Sequence, residues 1–459
     1  MQRRGTSPAW RSRTLPTIRP PRPQKQVRCS RFQLLFTAAA LMLGFAALVK
    51  LRDWAKGPQE VPFGSNGSMS RRAAPVRSDD PFDALVRRVY ARGTRERIAV
   101  SYEARRNGAA YFVITVAHGK LDITADSVHS ALGALHHYCS HYAACSTTWG
   151  VRRRPSLPRV LPQIEVERNG RLLKRKWAKH VYAGNVCTQS YSQPWWTWAE
   201  WERELDNMAL RGVTMPLVLV GREVVMRALL LELGMKDDDI LAFFTGPAFL
   251  SWHRMGNLKS FAGPMPRSYL AHAERLAELI LTRARELGMT PVLPGFSGHV
   301  PDELPAVLKV DVEMGRDFSR LPTWSGFSSK HSGLLFVEPT SELYLILGAR
   351  FIEIQRELFG TDAGHFYSVD QFNEVDPRSN DETYLKSAAT ASYNSLCKGD
   401  PEAVWVMQGW LFVFHAQFWQ TAQTSAYLSA VPKGGLLVLD LVSEATPGYV
   451  TTDSYEGHR

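Results

Sequence analysis

From about residue 181 onward, short apolar runs alternate with longer amphipathic stretches. The runs are 213–220 (VTMPLVLV), 290–296 (TPVLPGF), 366–372 (FYSVDQF), 403–407 (AVWVM) and 436–441 (LLVLDL), with a further strand candidate near 181–191. Continuous apolar runs of this length read as strands buried on both faces, the pattern of a parallel sheet. Between them lie stretches such as SYLAHAERLAELILTRARELG, with Leu and Ile at helical spacing and charges opposite. Strand and helix in alternation predict parallel βα units. No Gly-rich turn follows the first strand, so a dinucleotide fold is disfavoured and an α/β fold of the (β/α)8 TIM-barrel type is expected over 161–459. Six strand candidates are found, so the barrel is expected to be incomplete at its C-terminal side.

The preceding part has a different rhythm. AYFVITVAHGKLDITA alternates like a pair of strands, and SVHSALGALHHYCSHYAAC follows with helical spacing. Residues 81–160 therefore predict a small α+β domain. The Pro- and Arg-rich stretch 151–179 reads as a crossing segment, and 52–80, small and polar with Pro and Gly, as a linker.

Charge changes the picture at the N-terminus. The 459 residues carry 55 Lys+Arg against 44 Asp+Glu, a net charge of +11. Residues 1–52 hold eleven of the bases and no acid, which leaves the rest of the chain neutral. Nucleic acid is therefore not expected as a partner. The basic tail, 1–33, precedes an apolar run that predicts an N-terminal transmembrane helix, a signal anchor over 34–51. The expected arrangement is a type II single-pass membrane protein of the secretory or endolysosomal system, with its tail cytosolic and its bulk lumenal; a cleaved signal peptide is the alternative, and it too places the bulk in a secretory compartment. Asn66-Gly67-Ser68 is a glycosylation sequon on the linker. Of five cysteines, Cys139, Cys145, Cys187 and Cys397 fall on the lumenal side and could form two bridges, although a core of this size does not require them.

In such barrels the reacting groups lie at the C-terminal ends of strands. Asn373-Glu374 follows directly on the run 366–372 and is the most informative such position. Sugars present apolar C–H faces that stack on flat rings, and several of the 13 Trp fall near strand ends: Trp252, Trp324, Trp405 and Trp410. A denser group, Trp195, Trp196, Trp198 and Trp201, lies on a helix-like segment. The spacing from His136 to Cys145 matches no zinc pattern. No G-x-S-x-G elbow and no P-loop occurs. Asp237-Asp238-Asp239, a match to the Asp-x-Asp of metal-dependent glycosyltransferases, sits between helical segments and reads as a helix cap.

Six stretches then point to one family. They are NVCTQSYSQPWW (185–196), FFTGPAFLSWHRMGNL (243–258), GMTPVLPGFSGHVP (288–301), QFNEVDP (371–377), WVMQGWLF (405–412) and LLVLDLVSEATPGY (436–449). Together they closely resemble the α-N-acetylglucosaminidases, glycoside hydrolase family 89, from about residue 80 to the C-terminus. The resemblance implies a small α/β domain, a (β/α)8 barrel and a C-terminal helical domain. It also implies retaining hydrolysis of terminal α-linked N-acetylglucosamine, from glycans such as heparan sulfate, with no metal or organic cofactor. By this likeness Glu374 is the general acid/base and Asn373 lies beside it. Asn185 and Cys187 contact the sugar, so that Cys187 is a pocket thiol rather than half of a bridge. Trp252, Trp324 and Trp410 are aromatic walls, and Glu223 belongs to the family's Gly-Gln-Glu segment.

Two departures stand out. Gly-Gln-Glu reads Gly221-Arg222-Glu223 here, and Met226 stands where the family has a Trp. The family's nucleophile is a Glu on a later strand than any found here, so the chain is expected to lack it and to release little product alone. The alternative is a relative without catalytic power that binds a glycan or a partner. Assembly into a homo-oligomer is left open.

Overall fold

The computed structural model describes residues 80–104, 110–149, 153–164, 171–175, 178–309 and 316–458. The basic tail, the apolar segment 34–51 and the linker up to residue 79 lie outside them. Among the described residues no helix is long and apolar enough to cross a membrane.

The small domain opens with helix α1 (Pro81–Val89), capped by the Asp80 carboxylate, which accepts from the Phe82 N–H at 3.0 Å. Its sheet comprises β1 (Ile98–Tyr102), β2 (Tyr111–Ala117), β3 (Lys120–Ala125) and β4 (Arg171–Arg175), in the order β1-β3-β2-β4. β2 and β3 form a hairpin whose turn residues, His118 and Gly119, both have positive φ, 50° and 73°. That is the geometry a two-residue turn needs to match strand twist. Helix α2 (Val128–His141) starts at Ser127, whose hydroxyl accepts from the Ser130 N–H, and it buries Leu132, Leu135, Tyr138 and Cys139. β4 corrects the domain boundary. It pairs antiparallel with β2 along Arg171–Arg175, so the small domain takes in part of the supposed crossing segment and runs beyond residue 160. Five residues with charged ends show too little alternation to announce a strand.

Six parallel strands follow: β5 (Tyr182–Ala183), β6 (Met215–Pro216), β7 (Val292–Pro294), β11 (Phe366–Ser368), β12 (Val404–Gln408) and β13 (Leu436–Leu439). They neighbour one another in chain order, with β6 and β7 joined through a bridge between Leu217 and Val292. All six predicted strands are therefore present. The connecting helices are α3 (Trp198–Leu210), α4 (Arg222–Glu232), α5 (Arg267–Glu286), α6 (Glu342–Phe359), α7 (Glu382–Gly399) and α8 (Thr421–Ser429).

Alternation sorts the strand residues into two sets. Met215, Leu217, Leu219, Val292 and Val406 form an inner cluster with Tyr182, Phe366, Leu437 and Leu439. Their neighbours in sequence, Val218, Leu293, Tyr367, Trp405, Met407, Leu436 and Val438, join the larger core under the helices. A parallel sheet rolled with helices outside requires this double burial. Gly221 turns the chain from the β6 segment into α4 at φ 95°, and a Cβ there would meet Ala277 and Phe359 at 3.0 Å. On the far side of β13 the Val438 N–H donates to the His458 carbonyl at 3.0 Å.

Between β7 and α6 the chain makes an antiparallel excursion of β8 (His299–Val300), β9 (Phe318–Arg320) and β10 (Leu335–Val337), ordered β8-β10-β9. Strands of two or three residues carry no readable period, and the sequence pattern does not predict them.

The opposite end of the barrel is clamped by Asp400. Its buried carboxylate accepts from Tyr367 Oη at 2.7 Å and from the Glu402 N–H at 3.1 Å. His365 Nδ1 lies 2.7 Å away, and Arg356 Nη1 makes an ion-pair contact at 2.7 Å without hydrogen-bond alignment. One carboxylate thus ties β11, α6 and the start of β12. Asp400→Ala should cost about 3 kcal/mol, because it strands buried partners, and denaturant unfolding of the two proteins would measure it.

Candidate active site

The C-terminal mouth of the parallel strands gathers most of the residues the sequence singled out. After β5 the chain turns at Asn185, whose Oδ1 accepts from the Cys187 N–H at 2.8 Å while its carbonyl accepts from the Thr188 hydroxyl at 2.8 Å. Asn185 is exposed, and Cys187 is half-buried against the inner cluster. Burial, and then the charge of Glu374, push the Cys187 thiol up, so the Glu374 carboxylate stands within electrostatic reach of it.

Glu374 reaches the mouth on the segment that leaves β11. Its Oε2 accepts from Trp324 Nε1 at 2.7 Å. A carboxylate–indole bond of this kind is charge-assisted and fixes the acceptor's direction. Trp324 is itself held from behind. Its backbone N–H donates to Ser332 Oγ at 2.6 Å, and Ser332 Oγ donates to the Asn257 carbonyl at 3.0 Å. The antiparallel excursion thus brings an indole N–H to Glu374. Asn373 is buried at 3% exposure, and its Nδ2 donates to Met255 Sδ at 3.1 Å.

Trp252 sits on the short helix Leu250–Arg254 and packs against the inner cluster. Its ring meets Tyr191 edge-on at 5.7 Å and Phe249 at 6.1 Å. Phe249 contacts Phe261 at 4.8 Å, Phe261 contacts Phe327 at 5.3 Å, and Phe327 stacks on Trp324 at 5.9 Å. The two predicted tryptophans are thus ends of one aromatic belt around the rim. Trp410 stacks on Phe414 at 5.3 Å, beyond the end of β12.

Glu223 lies behind this wall. Both its oxygens accept from Arg254, at 2.8 and 2.7 Å, and Arg254 also donates to Gln189 Oε1. Burial alone would raise the Glu223 carboxyl, but the charge and hydrogen bonds of Arg254 outweigh it and hold the group below its ordinary range. The pair ties α4 to the helix of Trp252 and the turn of Gln189. Burial is also the main reason that neighbouring Arg222 is lowered to about 10. Asp237 and Asp238, in the first turn of helix Asp237–Phe243, are taken up by Arg227 and Arg267.

Asp370 is the site residue that the sequence reading missed. It lies two residues beyond Ser368 and so on the inward parity of β11. Its Oδ1 accepts from the Gln408 N–H and its Oδ2 from Gln408 Nε2, each at 2.9 Å. Burial pushes its carboxyl up to about 6 against the lowering effect of those two bonds. Burial and the Asp370 charge also raise the phenol of Tyr182 across the lumen. Counting in twos from the end of the apolar run would have found it.

Comparison with known proteins agrees with this geometry. The sequence profile of the α-N-acetylglucosaminidase N-terminal domain matches residues 80–163, and that of its TIM-barrel domain matches 181–459. Human α-N-acetylglucosaminidase is 39% identical over 399 residues, covering 86% of this chain and 51% of that protein. The chain thus spans about half the length of the curated relative it matches. A family 89 glycoside hydrolase from Clostridium perfringens, solved with 2-acetamido-1,2-dideoxynojirimycin, superposes with a TM-score of 0.70 at 26% identity, over 80% of this chain and 40% of that one. A variant of the bacterial enzyme with two glutamates changed to glutamine, solved with GlcNAc-α-1,4-galactose, gives the same TM-score, identity and coverage. Two domain profiles in the right order, extended identity and a shared barrel make the conclusion plain: the chain belongs to the α-N-acetylglucosaminidase family, glycoside hydrolase family 89.

Proposed function

We propose that this site takes the terminal α-linked N-acetylglucosamine of a glycan such as heparan sulfate and hydrolyses it with retention, Glu374 acting as general acid and then base. The observation that carries the reading is the bond from Trp324 Nε1 to Glu374, at the end of a barrel strand and inside an aromatic rim. The belt from Trp252 to Trp324 offers flat faces for sugar C–H groups, and the turn of Asn185 and Cys187, whose thiol feels the Glu374 charge, would receive polar substituents. The indole holds one carboxyl oxygen, and the other gives its proton to the leaving glycosidic oxygen. Departure of that oxygen builds oxocarbenium character at the anomeric carbon, and Glu374 then draws a proton from the incoming water. The sugar specificity is supported by the relative solved with GlcNAc-α-1,4-galactose. The location inferred above, lumenal and anchored through 34–51, belongs to the same reading and is supported by the basic, acid-free residues 1–52.

Retention also takes a nucleophilic carboxyl about 5–5.5 Å from the acid. Among the described residues Asp370 follows β11 and Asp440 follows β13, two strands apart, and both carboxyls are committed. Asp370 is held by Gln408, while Asp440 accepts from the Gly448 N–H, the Tyr449 N–H and Tyr455 Oη. This favours a second reading, in which the site binds the sugar without cleaving it.

Aryl α-N-acetylglucosaminides separate the two. On the leading reading, Glu374→Gln lowers kcat at least about 100-fold, and loses less with an activated dinitrophenyl leaving group that needs no proton. Turnover in the unaltered chain that depends on Glu374 would support the leading reading and overturn the expectation that the nucleophile is missing; binding without turnover would support the second reading, and neither binding nor turnover would sink both.

Asp370 supplies a pH test. Its folded-state value, about 6, lies above its ordinary 3.8. The folded chain therefore holds this proton more tightly, and the contribution to stability, full below pH 4, is lost as pH rises through 6. Asp370→Asn should flatten the fall in melting temperature across that window. An unchanged slope would contradict the assignment.

A further inference from the structure

Away from the barrel mouth, the small domain holds two cysteines that the glycosidase reading does not use. Cys139 is in the last turn of α2 and fully buried, and Cys145 is 5% exposed. Past the helix end, the Tyr142 and Ala143 N–H groups both donate to the Tyr138 carbonyl at 3.0 Å. Ala144 then takes a left-handed φ of 48°, and the Cys145 N–H donates to the Cys139 carbonyl at 2.9 Å. This wrap brings the two buried thiols close enough for each to shift the other's ionisation. A backbone hydrogen bond between two residues also keeps their Cα atoms within roughly the 4.4–6.8 Å that a disulfide spans. Among the described residues no third His, Cys, Asp or Glu completes a metal-ligand set with them. Tyr90, just past the end of α1, is fully buried in the same core as Cys139.

We propose that Cys139 and Cys145 form a regulatory or structural disulfide when the chain meets an oxidising thiol buffer. The two thiols lose two protons and two electrons, and one glutathione disulfide takes them up as two glutathiones, through a mixed disulfide on the less buried Cys145. The bond would pin the start of the strap 145–149. That strap docks the small domain on the barrel: the Thr147 carbonyl accepts from Arg211 Nη2 at 2.8 Å, and Trp149 stacks on Trp196 at 5.0 Å. Closing the wrap therefore stiffens the junction to α3, the first helix of the barrel. Cys187, by contrast, stands at the barrel mouth and, among the described residues, has no thiol beside it to exchange with. The inference is independent of any glycan chemistry.

The test uses the full chain, made in a secretory pathway and equilibrated in a buffer of reduced and oxidised glutathione. It is then unfolded without reductant, alkylated and digested. The expected product is a peptide containing 139 and 145 that is two hydrogens lighter than its reduced form and takes no alkyl group. Reduction should lower the melting temperature by several degrees in this chain and by none in Cys139→Ser or Cys145→Ser. Full alkylation of both residues after oxidation, or a link from either to Cys187, Cys397 or glutathione alone, would overturn the proposal. The mass readout on the unaltered chain decides even if the variants fail to fold.

Discussion

The parallel register of six strands is the constraint on which everything else rests. Each inward residue has an inward neighbour on the next strand: Leu217 beside Val292, Val292 beside Phe366, Val406 beside Leu437. One step of slippage would turn the whole set outward. The register therefore sets where the lumen stops being apolar. Below, it is filled by Met215, Leu217, Val292 and Phe366, and at the top the same parity brings in Ser368, Asp370 and Gln408. Polar groups appear where the strands end because only there do partners and solvent exist to satisfy them.

The wall of the mouth is built by a different device. Glu223 and Arg254 form a doubly hydrogen-bonded ion pair in full burial, an arrangement whose worth lies in fixing geometry more than in net stability. Breaking it would free the helix of Trp252 from α4, while Arg254 and Ser251 still tie that helix to the turn of Gln189 and Ser190. The excursion of β8, β9 and β10 supplies the facing wall. Ser332 ties its loop to Asn257, and the loop delivers Trp324 to Glu374. Proton donor, orienting indole and aromatic rim thus come from separate segments that meet only because the barrel holds them.

Much of this is legible in the sequence, for identifiable reasons. Strands buried on both faces leave continuous apolar runs, so the six barrel strands can be read directly, and Asn373-Glu374 can be placed after one of them. Position near strand ends singled out Trp252 and Trp324, and resemblance added Asn185 and Cys187, which the fold gathers around the mouth. Glu223 belongs to the same family segment but is turned inward to Arg254, a choice that depends on an arginine 31 positions away. The short strands β8 to β10 and the edge strand β4 have too few residues for a period to emerge. The wrap that joins Cys139 to Cys145 depends on a left-handed alanine that no composition foretells.

The central claim is that Glu374, aimed by Trp324, defines a site shaped for N-acetylglucosamine. The most direct measurement is calorimetric titration with 2-acetamido-1,2-dideoxynojirimycin, the ligand in the bacterial relative's structure. Its ring amine carries positive charge where an oxocarbenium ion would, and a carboxylate beside it should be felt. The account predicts saturable binding to the unaltered chain that weakens roughly tenfold or more in Glu374→Gln, the worth of one charge-assisted hydrogen bond. Absence of binding, or equal affinity for both proteins, would contradict it.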